Sequence, residues 1–461
     1  PQKKRSINEN HMAKDLTQGR PIWLLFTLGM PILIGNLFQQ FYSMVDTIIV
    51  GRFVGQKAMA AVGCTGSISF FILGAAFGLT AGFAIIVAQL YGGKQERELR
   101  NAVAVSIELS ALFSLAITAV SVVFATPILE IMQTPEDIFH DAYLYIVIIF
   151  WGIPGMVYYN LFSGILRAVG DSRTPLVFLV IASVGNIVLD LLLVVVIPMG
   201  PAGAALATIV SQTLSGIGCL LYMCRRYKFL IPHGSDWHFS PSLAWSLVRL
   251  GVPSALSNSV CAIGCMAVQG AVNRFGSDMV AGYTAGTKIE GVATQPCFAF
   301  SAALVNFVGQ NVGAGKMDRV RKGTHDCLKL MLGCAVFGFV VAQFCGKALV
   351  GVFLEAPTAE VIDAATQYLR WISYFVLPLG VLLVYRCAIS GMGNANIPML
   401  SGAVELAMRL PIAFFLSVRI GYTGICQASP ASWIAAAIML CIAYYQIERS
   451  TCKRFGLVLA S

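Results

Sequence analysis

The second half of this chain repeats the punctuation of the first about 222 residues further on, inside a background that is apolar throughout. Leu28-Gly29-Met30-Pro31 returns as Leu250-Gly251-Val252-Pro253, and Arg52-Phe53 returns as Arg274-Phe275. Gln89 with Gly92, Gly93 and Lys94 returns as Gln310 with Gly313, Gly315 and Lys316. Ile153-Pro154 pairs with Leu377-Pro378, Gly170 and Pro175 with Gly393 and Pro398, and Gly200, Gly203 and Ala207 with Gly421, Gly424 and Ala428. A repeat of half a chain restricts the fold to two bundles of like topology, the plan on which many membrane transporters are built. Positions where the two copies differ are then the first place to look for function.

Of 461 residues, 57% are hydrophobic and only 11% charged, with a mean hydropathy of +0.77. A water-facing surface needs far more charge, so a soluble domain is excluded. The net charge of +9 does not read as a nucleic-acid footprint, because the cations cluster in short loops between apolar runs. The expected macromolecular neighbour is the lipid bilayer, and no nucleic acid. Thirteen cysteines lie almost entirely in apolar segments, among them Cys261, Cys265, Cys334 and Cys441, with no CxxC or Cys/His spacing. They read as buried, reduced, small hydrophobes, which supports neither a disulfide framework nor a zinc site. His11, His140, His233, His238 and His325 fall in the amino-terminal tail, in loops or at helix ends and form no catalytic or metal constellation. Residues 1–11 are polar, precede Met12 and lack the pattern of a signal peptide; part of this stretch is expected not to be native.

Runs long enough to cross a hydrocarbon core of ~30 Å recur along the whole chain. They predict an all-α membrane protein of about twelve spans, at 23–50, 58–91, 100–125, 139–167, 174–197, 201–224, 246–273, 279–312, 324–351, 362–391, 397–420 and 424–447. Lys94/Arg97/Arg100, Arg167/Arg173, Arg225/Arg226/Lys228 and Lys316/Arg319/Arg321/Lys322 occupy alternate loops, and both ends are basic. Charge asymmetry therefore predicts a multi-pass cell-membrane protein with both termini cytoplasmic. The expected organisation is a tail at 1–20, a six-helix lobe at 21–226, a polar linker at 227–242, a second six-helix lobe at 243–448, and a tail at 449–461. The lobes should be parallel repeats related by an axis along the membrane normal.

Polar groups inside spans are costly, so they mark function. Helix 1 carries Asn36, Gln40, Ser43 and Thr47 at i, i+4, i+7 and i+11, flanked by Gln39 and Asp46. Helix–helix glue is one reading. A carboxylate in a span, at ~2.5–3.5 kcal/mol on the lenient scale, favours a watery cavity or ion pathway. Pro31 predicts a kink upstream. Helix 5 stacks Asn186 and Asp190 on one face, and Thr208 follows in helix 6, where back-bonding to its own helix is the plain alternative. The second half places Gln269 in helix 7, Lys288 and Glu290 in helix 8, Arg386 in helix 10, and Glu405 and Arg409 in helix 11. Glu405 and Arg409 read equally as an i,i+4 ion pair or as cavity lining.

With these residues in view, the chain resembles the multidrug and toxic compound extrusion (MATE) transporters. The resemblance rests on Pro31 followed by Phe41-Tyr42-Ser43-Met44-Val45-Asp46-Thr47 and Gly51, on Gln89 through Lys94, on Arg167-Ala168-Val169-Gly170-Asp171, on Ser183 to Asp190 and on Gly200 to Thr208. It implies two six-helix lobes in a V around a central cavity, and export of amphipathic, often cationic drug-like compounds by antiport with H+ or Na+. It further implies that Asp46, Asn186, Asp190 and Thr208 handle the coupling cation, and that no cofactor is needed. Asn36, Gln40, Ser43, Gln269, Lys288, Glu290, Arg386, Glu405 and Arg409 are candidates for the substrate cavity. Some relatives place further acids in helices 7 and 10; here those helices offer Gln269 and Arg386 instead. A monomer is expected. The alternatives are a lipid-linked precursor flippase, which wants a cationic cavity, and an intramembrane enzyme, for which no nucleophile–base pair or metal cluster is present.

Overall fold

The computed structural model of the chain describes residues 14–353 and 358–454. The expectations for residues 1–13, His11 and the non-native stretch included, and for the tail past 454 lie outside the described residues. Within them the chain is helical, with no strand. In order, the helices are α1 (Pro21–Phe53), α2 (Gln56–Gly92), α3 (Glu96–Val123), α4 (Ala125–Ile131), α5 (Glu136–Trp151), α6 (Ile153–Ala168), α7 (Arg173–Asp190) and α8 (Pro201–Arg226). The second copy follows as α9 (Pro241–Val272), α10 (Ser277–Ala293), α11 (Gln295–Gly313), α12 (Met317–Phe353), α13 (Ala359–Tyr374), α14 (Val376–Gly391), α15 (Asn396–Pro411), α16 (Ser417–Ile420) and α17 (Tyr422–Arg454).

Among the described residues nine helices are long and apolar enough to cross a membrane, and up to twelve spans result if each of three bent pairs counts as one. The bends are 44° between α5 and α6, 42° between α10 and α11, and 52° between α13 and α14. Each was expected as one continuous helix. Pro154, Pro296 and Pro378 explain the breaks, since each lies in the first turn after the bend, lacks an N–H and crowds the carbonyl four residues back. The first copy has no proline between Gln56 and Gly92, and α2 stays whole where its counterpart is broken.

The repeat is visible in the backbone itself. A π-helical stretch follows α7 at Leu191–Val196, and another follows α15 at Ile412–Leu416. Gly200 and Gly421 then open α8 and α17 in the same left-handed conformation, with φ of 61° and 66°. One correspondence is corrected: the left-handed residue after α2 is Lys94, and its counterpart after α11 is Gly315, so Lys316 is not the partner of Lys94.

The chain forms two compact units whose membership differs from the lobes 21–226 and 243–448. The first takes Ile34–Ala255 with the short segment ending at Gln18; the second takes Gly19–Leu33 with the chain from Leu256 onward. Helices α1 and α9 each change unit just beyond their internal prolines, Pro31 and Pro253. In the second unit Phe26 stacks on Phe300 at 6.0 Å and Arg319 Nη1 donates to the Gly19 carbonyl at 2.9 Å, which holds the start of α1 there. In the first unit α2 meets the start of α9 backbone to backbone: a Cβ on Gly82 would lie 2.5 Å from Gly251 Cα. Small residues permit that approach, as they commonly do between helices in lipid. Both helices run unbroken through their prolines.

The stretch 227–242 is no free linker, because it is tied to the first unit. Tyr227 is fully buried and donates to Asp171 Oδ2 at 2.8 Å, while Asp171 also accepts from Thr174 N and Thr174 Oγ1 at the start of α7. Arg100 Nε reaches Asp236 Oδ2 at 2.7 Å, and Asn101 donates to the carbonyls of Asp236 and His238. The backbone N–H of His233 and the Arg100 guanidinium hold the Asp236 carboxyl below the usual carboxylate range. The reading of the cysteines as buried also needs correction, because Cys224, Cys261 and Cys265 are exposed.

Candidate functional site

Helix α1 turns two different faces outward and inward. Tyr42, Asp46, Ile49 and Val50 recur at i, i+4, i+7 and i+8 and pack into the first unit, with Asp46 only 8% exposed. Gln40, Ser43 and Thr47 lie on the exposed side, with Asn36 half-buried and Thr47 Oγ1 donating back to Ser43 O at 3.0 Å. Asp46 and the polar stripe therefore serve different surroundings.

Facing Asp46 are α7 and α8. Ser183, Asn186 and Asp190 share one side of α7, and Asp190 is fully buried. Asp190 is also the last residue before the π-helical stretch, whose extra residue per turn re-aims the backbone, a feature frequent at functional sites. Beyond it Gly203 at the start of α8 abuts that stretch, where a Cβ would lie 2.7 Å from Leu193 O. Thr208 Oγ1 donates to Ala204 O at 3.0 Å, so its proton is used within its own helix while its oxygen stays at the site. One turn later Gln212 Nε2 donates to Tyr42 Oη at 3.2 Å. Tyr42, Ser183, Asn186, Thr208, Ser211 and Gln212 line a small void between these helices. Tyr145 of α5 completes the enclosure, within electrostatic reach of Asp46, Tyr42 and Asp190.

Satisfaction of these groups is the decisive geometry. Asp46 Oδ1, both carboxylate oxygens of Asp190 and both amide atoms of Asn186 are buried with no hydrogen-bond partner among the described residues. The two carboxylates also lie within electrostatic reach of each other. A buried, unpaired carboxylate is costly, and two together cost more, unless a proton or a cation resides with them. Hard oxygen donors suit either a proton or a small hard cation. Sequence reasoning missed Tyr42, Tyr145, Ser183, Ser211 and Gln212 as members; the spacing of Gln212 four residues after Thr208 was the readable signal.

The second unit handles its charges differently. Arg386 Nη2 contacts Glu405 Oε1 and donates to Ser401 Oγ at 2.9 Å. Arg409 Nη2 lies 3.6 Å from Glu405 Oε2 and 3.3 Å from Ser432 Oγ. The i,i+4 pair thus exists, but the tighter partner of Glu405 comes from α14, a contact no local spacing announces. Glu290 Oε2 accepts from Tyr368 Oη at 2.6 Å, and the Tyr368 ring meets Tyr283 edge-on at 5.0 Å. Gln269 donates to Asn273 at 3.2 Å and Lys288 is exposed, so neither joins this network. The counterparts of the first unit's acids are Val268 and Ala413, both buried and apolar.

The family model MatE matches residues 31–192 and again 253–415, the matches beginning at the internal prolines of α1 and α9. The chain belongs to the MatE family. As a MatE member it is a membrane transporter and not an enzyme. It is 31% identical to a probable multidrug resistance protein, YpnP, of Bacillus subtilis, over 90% of this chain and 92% of that one. It is 25% identical to an FAD transporter of Shewanella oneidensis, over 93% and 95%. Among solved structures, a MATE in the bent conformation superposes with a TM-score of 0.86 at 21% identity, covering 96% of this chain and 98% of the other. A MOP superfamily transporter from Pyrococcus furiosus, noted for the reverse polarity of its binding pocket, gives 0.83 at 22% identity over 96% and 97%. These structural likenesses concern the fold, and the MatE expectation from the motifs holds.

Proposed function

We propose that this MatE transporter is a secondary active exporter that moves amphipathic, often cationic, drug-like compounds outward across the cell membrane in exchange for H+ or Na+. The observation that carries this reading is the group of partnerless buried polar atoms on Asp46, Asn186 and Asp190. Carboxylates so placed need an exchangeable positive charge, and a gradient of that charge can then be spent on transport. Thr208 contributes an oxygen, while Tyr42 and Gln212, each one turn from a site residue, brace the same wall through their hydrogen bond. The exposed side of α1, with Gln40 and Ser43, together with Asn36, is the surface offered to substrate, and access alternates between the two sides of the membrane. The multidrug name of the Bacillus subtilis relative supports the substrate class. The flippase alternative rests on Lys288, Arg386 and Arg409 as free cations; Lys288 is exposed, whereas Arg386 and Arg409 both contact Glu405.

The test is transport of a fluorescent cation in vesicles with sodium and pH gradients set independently. Export driven by either gradient, and lost when that gradient is collapsed, is the expected result. Transport indifferent to both gradients would overturn the reading.

A further inference from the structure

The part of α9 in the second unit carries a different chemistry. Cys261 and Cys265 are four residues apart and share one helix face, both residues are exposed, and the two thiols lie within electrostatic reach of each other. Arg409 Nη1 donates to Cys265 Sγ at 3.8 Å, while Arg409 Nε is buried with no partner among the described residues. Between the two cysteines stands Gly264, where a Cβ would lie 3.0 Å from Arg409 Nη1; the missing side chain leaves room for the guanidinium beside Cys265. Both thiols thus lie on an exposed face of α9, with a fixed positive charge beside Cys265.

A disulfide does not suit this pair. Side chains at i,i+4 on a helix have Cβ atoms about 5–6 Å apart. A disulfide requires about 3.5–4.5 Å, so closing one would unwind the turn. A larger atom set between the sulfurs bridges the gap without moving the backbone. We propose that Cys261 and Cys265 form a dithiol site for trivalent arsenic compounds. With an aryl arsenoxide, two As–S bonds form while two S–H bonds and the arsenic–oxygen double bond break. The oxygen leaves with the two thiol protons as water, and arsenic stays trivalent throughout. Bridging holds Cys265 in place beside Arg409, which also contacts Glu405, so occupancy reaches the charged network of this unit.

Two further thiols, Cys297 and Cys334, also lie within electrostatic reach of each other, but Cys297 is fully buried. They are the internal control, as is the exposed Cys224. The experiment adds phenylarsine oxide to the purified full-length chain and maps the modified peptide by mass spectrometry. One phenylarsenic group should appear on the peptide holding both Cys261 and Cys265. It should leave on addition of 2,3-dimercaptopropanol and resist a monothiol at equal thiol concentration. Cys261→Ser or Cys265→Ser should weaken retention by about 10²–10⁴-fold, the factor lost with an intramolecular second attachment. Cys224→Ser and Cys297→Ser should bind as the unaltered chain does. Unaltered retention in the Cys261→Ser/Cys265→Ser double variant would overturn the proposal. So would release of the label from the unaltered chain by the monothiol, a readout that needs no variant to fold.

Discussion

Asp190→Asn separates a coupling role from a structural one. Neither Asp190 oxygen accepts a hydrogen bond among the described residues and the residue is fully buried, so the near-isosteric substitution removes no hydrogen bond. A charged Asp at the centre of a span costs about 2.5–3.5 kcal/mol on the insertion scale, and the amide carries no charge. Stability should therefore stay level or rise, by nothing if the acid is normally protonated and by up to about 3 kcal/mol if it is ionised. Transport should respond in the opposite direction. If one ion is exchanged per substrate under a hundredfold ion gradient, uncoupling forfeits about 2.8 kcal/mol, which lowers the steady-state substrate gradient about a hundredfold. The assay is reconstituted transport under an imposed gradient, with thermal unfolding of the same preparation. Normal gradient-driven transport would refute the coupling role. A marked drop in melting temperature would refute the claim that the carboxylate makes no stabilising hydrogen bond.

Three other outcomes follow from the same structure. Glu405→Gln leaves Arg386 and Arg409 without their shared carboxylate and should destabilise the chain by about 3–5 kcal/mol, read as a lowered melting temperature, while ion dependence survives in what still folds; lost ion dependence at unchanged stability would contradict it. Because the folded Asp236 carboxyl titrates below its unfolded value of about 3.9, its contribution is complete above that pH and is lost as the pH falls through the folded value. Iodide quenching of the adjacent Trp237 should therefore rise in acid in the unaltered chain, and Asp236→Asn should lack that transition. Cysteines placed at Arg97, Arg173, Arg226 or Arg321 should be unreachable by impermeant reagents from outside intact cells, as charge asymmetry demands; labelling at any of them would invert the proposed orientation.

Much of this was legible in the residues. The ends of α2, α8 and α9 fall within a few residues of the expected runs, because a span must be apolar over its whole length whatever surrounds it. Asp46, Asn186, Asp190 and Thr208 were singled out because polar atoms in a span have few plain explanations. The bends at α6, α11 and α14 were legible too, in Pro154, Pro296 and Pro378, but the long apolar runs concealed them.

What the sequence determined by itself is the set of spans, their pairing into two copies and the residues that carry charge into the membrane. All three depend on composition and order along the chain. Only the tertiary structure decided which way each helix faces. In water, an apolar stripe against a polar one announces a helix's rotation. In lipid, the face packed on protein and the face turned to hydrocarbon are both apolar, so that contrast vanishes. Hence Asp46 faces inward while Gln40 and Ser43 lie exposed, and hence Cys261 and Cys265 are exposed where burial was expected. The tighter partner of Glu405 is Arg386, from another helix, and the amino-terminal parts of α1 and α9 belong to a different unit from the rest of the same helix. Those are contacts between distant segments, selected by close packing at Gly82, Gly251 and Phe300, and no local period encodes them.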